Sequence, residues 1–131
     1  MGFADDVHKW AVRVGARADQ VPRIVAVQIS GQIIERTPVD TGRAKGNWQA
    51  TIETPASDTL KDEDKSGSGT VQKVYRVAND FKAGNVFYLV NNLPYIRRLE
   101  QGWSQQAPAG MVAVTVSEFQ QTVARAATED R

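Results

Sequence analysis

Apolar residues return along this chain with two different periods, and those periods divide it into helices and strands. Phe3, Val7, Trp10 and Val14 are separated by four, three and four positions, one stripe of an amphipathic helix, with Asp5, Asp6, Lys9 and Arg13 mostly elsewhere. Gly15 weakens that helix. Pro22 is unsuited to a helix interior, so it either kinks one long helix or starts a second running from about residue 23 to 36. Ile24, Val25, Val27, Ile29, Ile33 and Ile34 cover more than one face, which predicts the central, most buried helix, with Gly31 at a close packing contact. Thr37-Pro38 ends it, because a residue before proline is pushed out of the α region.

Turn residues follow from Asp40 to Asn47, an Asx-type turn leading into a strand. Trp48, Ala50 and Ile52 alternate with Gln49, Thr51 and Glu53, which predicts a half-buried strand near 47–53. Residues 54–69 are polar and rich in Gly and Ser, so they bury too little apolar area to offset the entropy of ordering them. They are expected to form an exposed, mobile loop. Thr70 then suits a helix cap, and Val71, Val74, Tyr75, Ala78 and Phe81 predict a helix near 70–82 that Gly84 closes. Val86, Phe87, Leu89 and Val90 form a short apolar run, a buried strand near 85–90 expected to pair with the first.

The stretch PYIRRLEQGWSQQAPAGM from Pro94 to Met111 is the most heavily specified part of the chain. Pro94 suits the first position of a short helix near 94–101, Gly102 stops it through a left-handed cap, and Pro108 opens the next helix. Val112, Val116, Phe119, Val123 and Ala126 then mark one stripe of a long final helix near 108–127. MVAVTV alternates equally well as a strand, but the helical period persists through the good helix formers that follow. The fold class is therefore α+β: N-terminal helices, a small antiparallel sheet, and a long C-terminal helix.

Composition narrows the function. With 131 residues the chain makes a single domain, residues 1–131, able to bury one core. Lys and Arg number 16 against 15 Asp and Glu, and a net charge of +1 gives no overall drive toward nucleic acid or acidic membrane. No cysteine is present, which removes disulfides, thiolate metal sites and cysteine nucleophiles together. His8 is the sole histidine, so a histidine metal site or Ser/His/Asp triad would rest on one residue near the N-terminus. The start MGFADDVHKW lacks the form of a signal peptide, and no apolar run approaches the ~20 residues that span a bilayer. A soluble protein is expected.

The candidate motifs are weak as chemistry. Asp40-Thr41-Gly42 reads like the triplet of aspartic proteases, whose mechanism needs two such carboxylates sharing a proton. Here Pro38 and a helix precede it, Arg43 follows it, and the apolar-apolar-Gly partner is missing, so a turn is the better reading. SGSGT at Ser66 to Thr70 resembles a phosphate cradle but lacks the lysine of a nucleotide loop. Asp62 and Asp64 sit in a charge run typical of a solvated loop, and Asp5 with His8 is an ordinary exposed helix pair. No catalytic, metal-ligating or cofactor-binding residue is assigned. Arg97 and Arg98 beside Glu100, with Tyr95 and Trp103 near, fit three readings: stacking on nucleic acid, core packing of Tyr95 and Leu99 with charge contacts around them, or a protein interface. Interface or core anchoring fits Trp103 better than stacking does.

Two stretches, RTPVDTGRAKGNW at Arg36–Trp48 and NNLPYIRRLEQGWSQQAPAGMV at Asn91–Val112, resemble the neck or tail-completion proteins of long-tailed bacteriophages, the family of minor tail protein Z. The resembling features are the turn Pro38, Val39, Asp40, Thr41, Gly42, then Asn91 to Pro94-Tyr95, the element Leu99 to Gly102, and the Pro108 loop before a terminal helix. Their order agrees over nearly the whole chain. The resemblance implies a non-enzymatic virion component, assembled in the host cytoplasm, that forms a ring, expected to be six-fold, at the head–tail junction. Its implied partners are copies of itself, a head-closure or connector protein, and a tail terminator or tail tube protein. DNA would pass through the channel without sequence-specific binding, and no membrane or cofactor is involved. Arg36, Arg43, Arg97, Arg98, Glu100 and Trp103 are then expected at subunit contacts, with Pro38, Asp40, Thr41, Gly42, Pro94, Gly102 and Pro108 setting the turns. The alternatives are a tail terminator capping the tube and a non-specific DNA-binding module of the neck channel.

Overall fold

The computed structural model describes residues 2–128, which form six α-helices and a two-stranded antiparallel sheet. Helix α1 spans Phe3–Arg13 and ends in a paired cap: Gly15 N–H donates to Val12 O at 3.0 Å and Ala16 N–H to Ala11 O at 2.9 Å. A 3-10 turn at Ala18–Gln20 leads into α2, Val21–Arg36. Pro22 lies in the first turn of α2, where a missing N–H costs nothing, so the N-terminal part is two helices and not one kinked helix. Thr37 leaves the helix with an extended backbone, φ −70° and ψ 128°, as its following proline demands.

Helix α3, Arg43–Gly46, precedes strand β1, Gln49–Ile52. Helix α4 spans Ser68–Ala78 and strand β2 Phe87–Val90. The strands pair with Gln49 opposite Val90 and Ile52 opposite Phe87. Short helix α5, Ile96–Glu100, and long helix α6, Val112–Thr128, complete the described chain. No described helix is long and apolar enough to cross a membrane.

Helix α2 stands between two apolar clusters because its apolar residues surround it. On one side Ile33 and Ile34 meet Trp48, Val74, Ala107 and Met111. On the other, Ile24, Val25 and Ile29 pack against the α1–α6 cluster of Trp10, Ala11, Phe119, Val123 and Ala126. Trp10 and Phe119 meet edge to face at 5.2 Å, the arrangement that ring quadrupoles favour. Trp48 also needs a polar partner for its buried indole N–H. It donates to Thr37 Oγ1 at 2.8 Å, and that hydroxyl donates to Ile33 O at 2.7 Å, so one threonine ties the end of α2 to the start of the sheet.

Several sequence expectations are corrected in detail. A Cβ on Gly31 would meet nothing within 4 Å, because that face of α2 opens on a shallow cleft lined by Glu35, Val71 and Tyr75. Gly31 therefore marks no close packing. Strand β1 begins after Trp48, and the Asp40–Asn47 segment contains a helical turn, α3. Helix α4 stops at Ala78, so Phe81 lies beyond it, against Phe87 at 5.3 Å, and Gly84 belongs to the turn before β2. Helix α6 starts at Val112 and not at Pro108. Its buried stripe runs through Thr115, Phe119, Val123 and Ala126, leaving Val112 and Val116 partly exposed, because Arg36 donates to Thr115 Oγ1 at 2.9 Å and turns that residue inward.

Candidate interface site

Residues from Arg36–Trp48 and from Asn91–Val112, far apart in sequence, form the walls of one cleft of about 780 Å³. One wall is the turn from Pro38 to Ala44, and the other holds Tyr95, Leu99, Trp103, Ser104 and Gln106. Gln106 joins them: its side-chain amide donates to Val39 O at 3.0 Å and accepts from Val39 N–H at 2.8 Å. Nothing in the local pattern of either stretch signals this long-range pair.

The wall bearing Trp103 is built by the end of α5. Gly102, at φ +89°, lets Gly102 N–H reach Leu99 O at 3.1 Å and Trp103 N–H reach Arg98 O at 3.0 Å, the double bond of a glycine-terminated helix. A Cβ on Gly102 would fall 2.3 Å from Pro108 O, so glycine is required for close approach as well as for φ. Reversing the chain here sends Trp103 outward, where it is 74% exposed. Arg98 lies over the indole, 5.4 Å from its centroid, and holds the ring by a cation–π contact. Tyr95 is 40% exposed, against the reading, one of three left open, in which it packs into the core with Leu99. Leu99 does pack against the first cluster.

Glu100 turns inward, away from the exposed face of α5. Its carboxylate accepts the backbone N–H groups of Met111 at 3.0 Å, Val112 at 2.9 Å and Ala113 at 2.9 Å, which caps α6 from a distant helix. Burial pushes the Glu100 carboxyl up, but the three N–H donors outweigh it and hold it below its ordinary value. With Glu100 turned inward, Arg97 and Arg98 are the exposed charges of α5.

The other expected contact arginines are engaged within their own chain. Arg36 pairs with Glu118 as well as Thr115, and Arg43 Nε donates to Leu60 O at 3.5 Å. Arg36 is thus a brace between α2 and α6. In the opposite wall Gly42, at φ +91°, allows Asp64 N–H to reach Gly42 O at 2.9 Å. Thr41 Oγ1, not the Asp40 carboxylate, closes the turn by accepting Arg43 N–H at 3.2 Å, and Asp40 stands exposed with no second carboxylate of its kind. Pro94 precedes α5 by two residues and does not open it; Tyr95 occupies the cap position.

Asp64 was expected to be solvated and is instead the cap of α4. Its carboxylate accepts Gly67 N–H at 3.1 Å, Thr70 N–H at 2.8 Å and the Thr70 hydroxyl at 2.8 Å. Thr70 is therefore not the capping residue, and the anion position of the SGSGT segment is filled by the protein's own carboxylate. Burial raises the Asp64 carboxyl, and the donors from Thr70, Gly67 and Ser66 overcome that and lower it. Asp62 pairs with Lys73 at 2.8 Å. His8 is exposed, and no group of three or more His, Asp or Glu suited to a metal occurs among the described residues. Comparison of the chain with protein-family models, curated proteins and solved structures finds no match.

Proposed function

We propose that this chain is a structural, non-enzymatic virion protein of a tailed bacteriophage, a ring-forming subunit at the head–tail junction that completes the tail or neck and joins it to the DNA-filled head. The observation that carries the reading is the cleft. The two stretches resembling tail-completion proteins meet there, beside an exposed tryptophan and two exposed arginines. Trp, Tyr and Arg are the residues that dominate protein–protein hot spots, whereas an isolated monomer gains nothing from a tryptophan in water. A ring of identical subunits uses two different patches per subunit, which suits a chain whose specification lies in turns and surface aromatics.

The test is a phage lacking this protein, viewed by electron microscopy. Full heads separated from complete tails are the expected outcome. Overlong tails would instead assign the chain to tail termination, and normal infectious particles would overturn the reading. The purified chain should bind free duplex DNA weakly, since its net charge is only +1.

A further inference from the structure

The two outer edges of the sheet differ. Along β1, Gln49 donates to Asp58 O at 2.9 Å and the Thr51 hydroxyl to Thr54 O at 2.6 Å, and α4 packs against the strand. Along β2, no described strand lies beyond it. The register fixes what β2 presents there. Residues opposite one another in an antiparallel pair alternately exchange both backbone hydrogen bonds and none. Glu53 N–H donates to Val86 O at 2.8 Å, so the bonded pairs recur two residues on, at Thr51 with Tyr88 and at Gln49 with Val90. Phe87 and Leu89 therefore turn their N–H and C=O groups away from β1, and those four groups have no hydrogen-bond partner among the described residues. Charges, prolines and bulges are the devices that keep such edges from pairing. Residues 86–90, Val-Phe-Tyr-Leu-Val, carry no charge and no proline, and the register of Phe87–Val90 with β1 is unbroken.

We propose that β2 pairs antiparallel with β2 of a second copy of this chain, Tyr88 opposite Tyr88, to make one four-stranded sheet. Hydrogen bonding selects both the occupant and the register. Outward N–H and C=O groups on alternate residues are matched by an extended backbone, which gives each group a bond of the kind it lacks. With Tyr88 on the two-fold axis, Phe87 of each copy stands opposite Leu89 of the other, and all four outward groups of each copy gain partners. A shift of one residue sets outward groups against residues already bonded to β1, and a shift of two pairs only one outward residue of each copy. The side chains agree with the same register. Phe87 meets Leu89 on the core face, and Val86, which is 49% exposed, meets Val90 on the other, so no charge is brought against an apolar residue. The contact is isologous and closes at two copies, so it goes beyond the neck reading and does not depend on it.

The test is a charge swap on the axis, read by sedimentation of the full chain with folding checked by circular dichroism. Tyr88 lies on the sheet face opposite the one that Phe87 and Leu89 pack on the core, so its side chain can be exchanged without entering the core cluster. Tyr88→Glu and Tyr88→Lys each set like charges directly opposite across the axis, and each alone should weaken self-association at least about tenfold. Mixed in equal amounts they should restore it, because Glu then faces Lys. In the unmodified chain, amide exchange of Phe87 and Leu89 should slow as concentration rises, while Tyr88 and Val90, already bonded to β1, should be protected throughout. The proposal is overturned if the unmodified chain stays monomeric at millimolar concentration, if the Phe87 and Leu89 amides gain no protection, or if the mixture associates no better than either variant. Should a variant lose its fold, the amide exchange of the unmodified chain decides alone.

Discussion

Gln106 holds Val39 as a neighbouring strand would, donating to its carbonyl at 3.0 Å and accepting from its N–H at 2.8 Å. A side chain thereby supplies the backbone pairing that neither loop provides. Gln106→Ala should remove both bonds, at roughly 0.5–1.5 kcal/mol each before solvent compensates at this exposed site. The expected result is a small fall in urea midpoint together with a changed Trp103 emission, because the cleft wall that carries the indole loses its tie. Gln106→Glu keeps the acceptor and loses the donor, so it should fall between the two.

Two helices in this protein are capped by carboxylates outside them, Asp64 just before α4 and Glu100 in the helix preceding α6, and acid should expose that. Asp64 and Glu100 are both held below their ordinary values, so the folded chain binds fewer protons than the unfolded one. Their contribution is therefore present above the unfolded carboxyl range, near pH 4, and is lost as pH falls through the lower folded values. Stability should be flat from neutral down to about pH 5 and drop below it. Asp64→Asn and Glu100→Gln should each destabilise by about 1–2 kcal/mol near neutrality, and denaturation curves should converge with the parent in acid. An undiminished difference at pH 3 would contradict this assignment.

The longer helices and both strands, though not the short α3, were legible from their apolar patterns: Phe3, Val7 and Trp10 set α1, and Val71, Val74 and Ala78 set α4. Thr37-Pro38 and Gly102 marked two helix ends, but the starts of α4 and α6 are fixed by carboxylates outside those helices. Asp64 caps α4 across the Ser-Gly run, and Glu100 fixes the start of α6 after Pro108 had suggested an earlier one. The site divides in the same way. Residue type left Trp103 open between interface and core anchor, and it is Gly102, ending α5 within local chain, that turns the indole outward. Arg36 and Glu100 were misplaced for the opposite reason: a charged side chain looks the same in sequence whether it meets a neighbour or braces its own fold.

Glycines separate these two cases experimentally. At Gly102 and Gly110, with φ +89° and +81°, a Cβ would lie 2.3 Å from Pro108 O and from Glu100 O. Alanine at either site combines backbone strain of about 1–3 kcal/mol with a clash against a carbonyl that has no flexible side chain to yield. Gly102→Ala and Gly110→Ala should therefore lower thermal stability more than Gly15→Ala, where φ is +80° and nothing lies within 4 Å. Gly31→Ala should do the reverse and stabilise by about 0.5–1 kcal/mol, since it sits mid-helix with open space around it.

Within the polar segment from Thr54 to Gly69, Gln49 and Asn92 hold Ala56 and Asp58 while Asn47 holds Leu60, and the behaviour around Leu60 should follow Asn47. Asn47 is fully buried; its amide donates to Arg43 O at 2.8 Å and Leu60 O at 2.9 Å, and its carbonyl accepts Leu60 N–H at 2.7 Å. Leu60 is thus held as if paired in a sheet, in a stretch whose composition alone promises no order. Asn47→Asp keeps the Leu60 N–H bond but sets a carboxylate against two carbonyl oxygens at almost unchanged volume. Losing both donors and burying that charge should cost about 2–4 kcal/mol. Limited proteolysis should then cut first between residues 55 and 63, with cleavage there rising well before global unfolding. Asn47→Ala also frees the segment but leaves no buried charge, so it should be cut as readily at a smaller loss of overall stability. Equal protection of the segment in all three proteins would show that Leu60 is held by something other than Asn47.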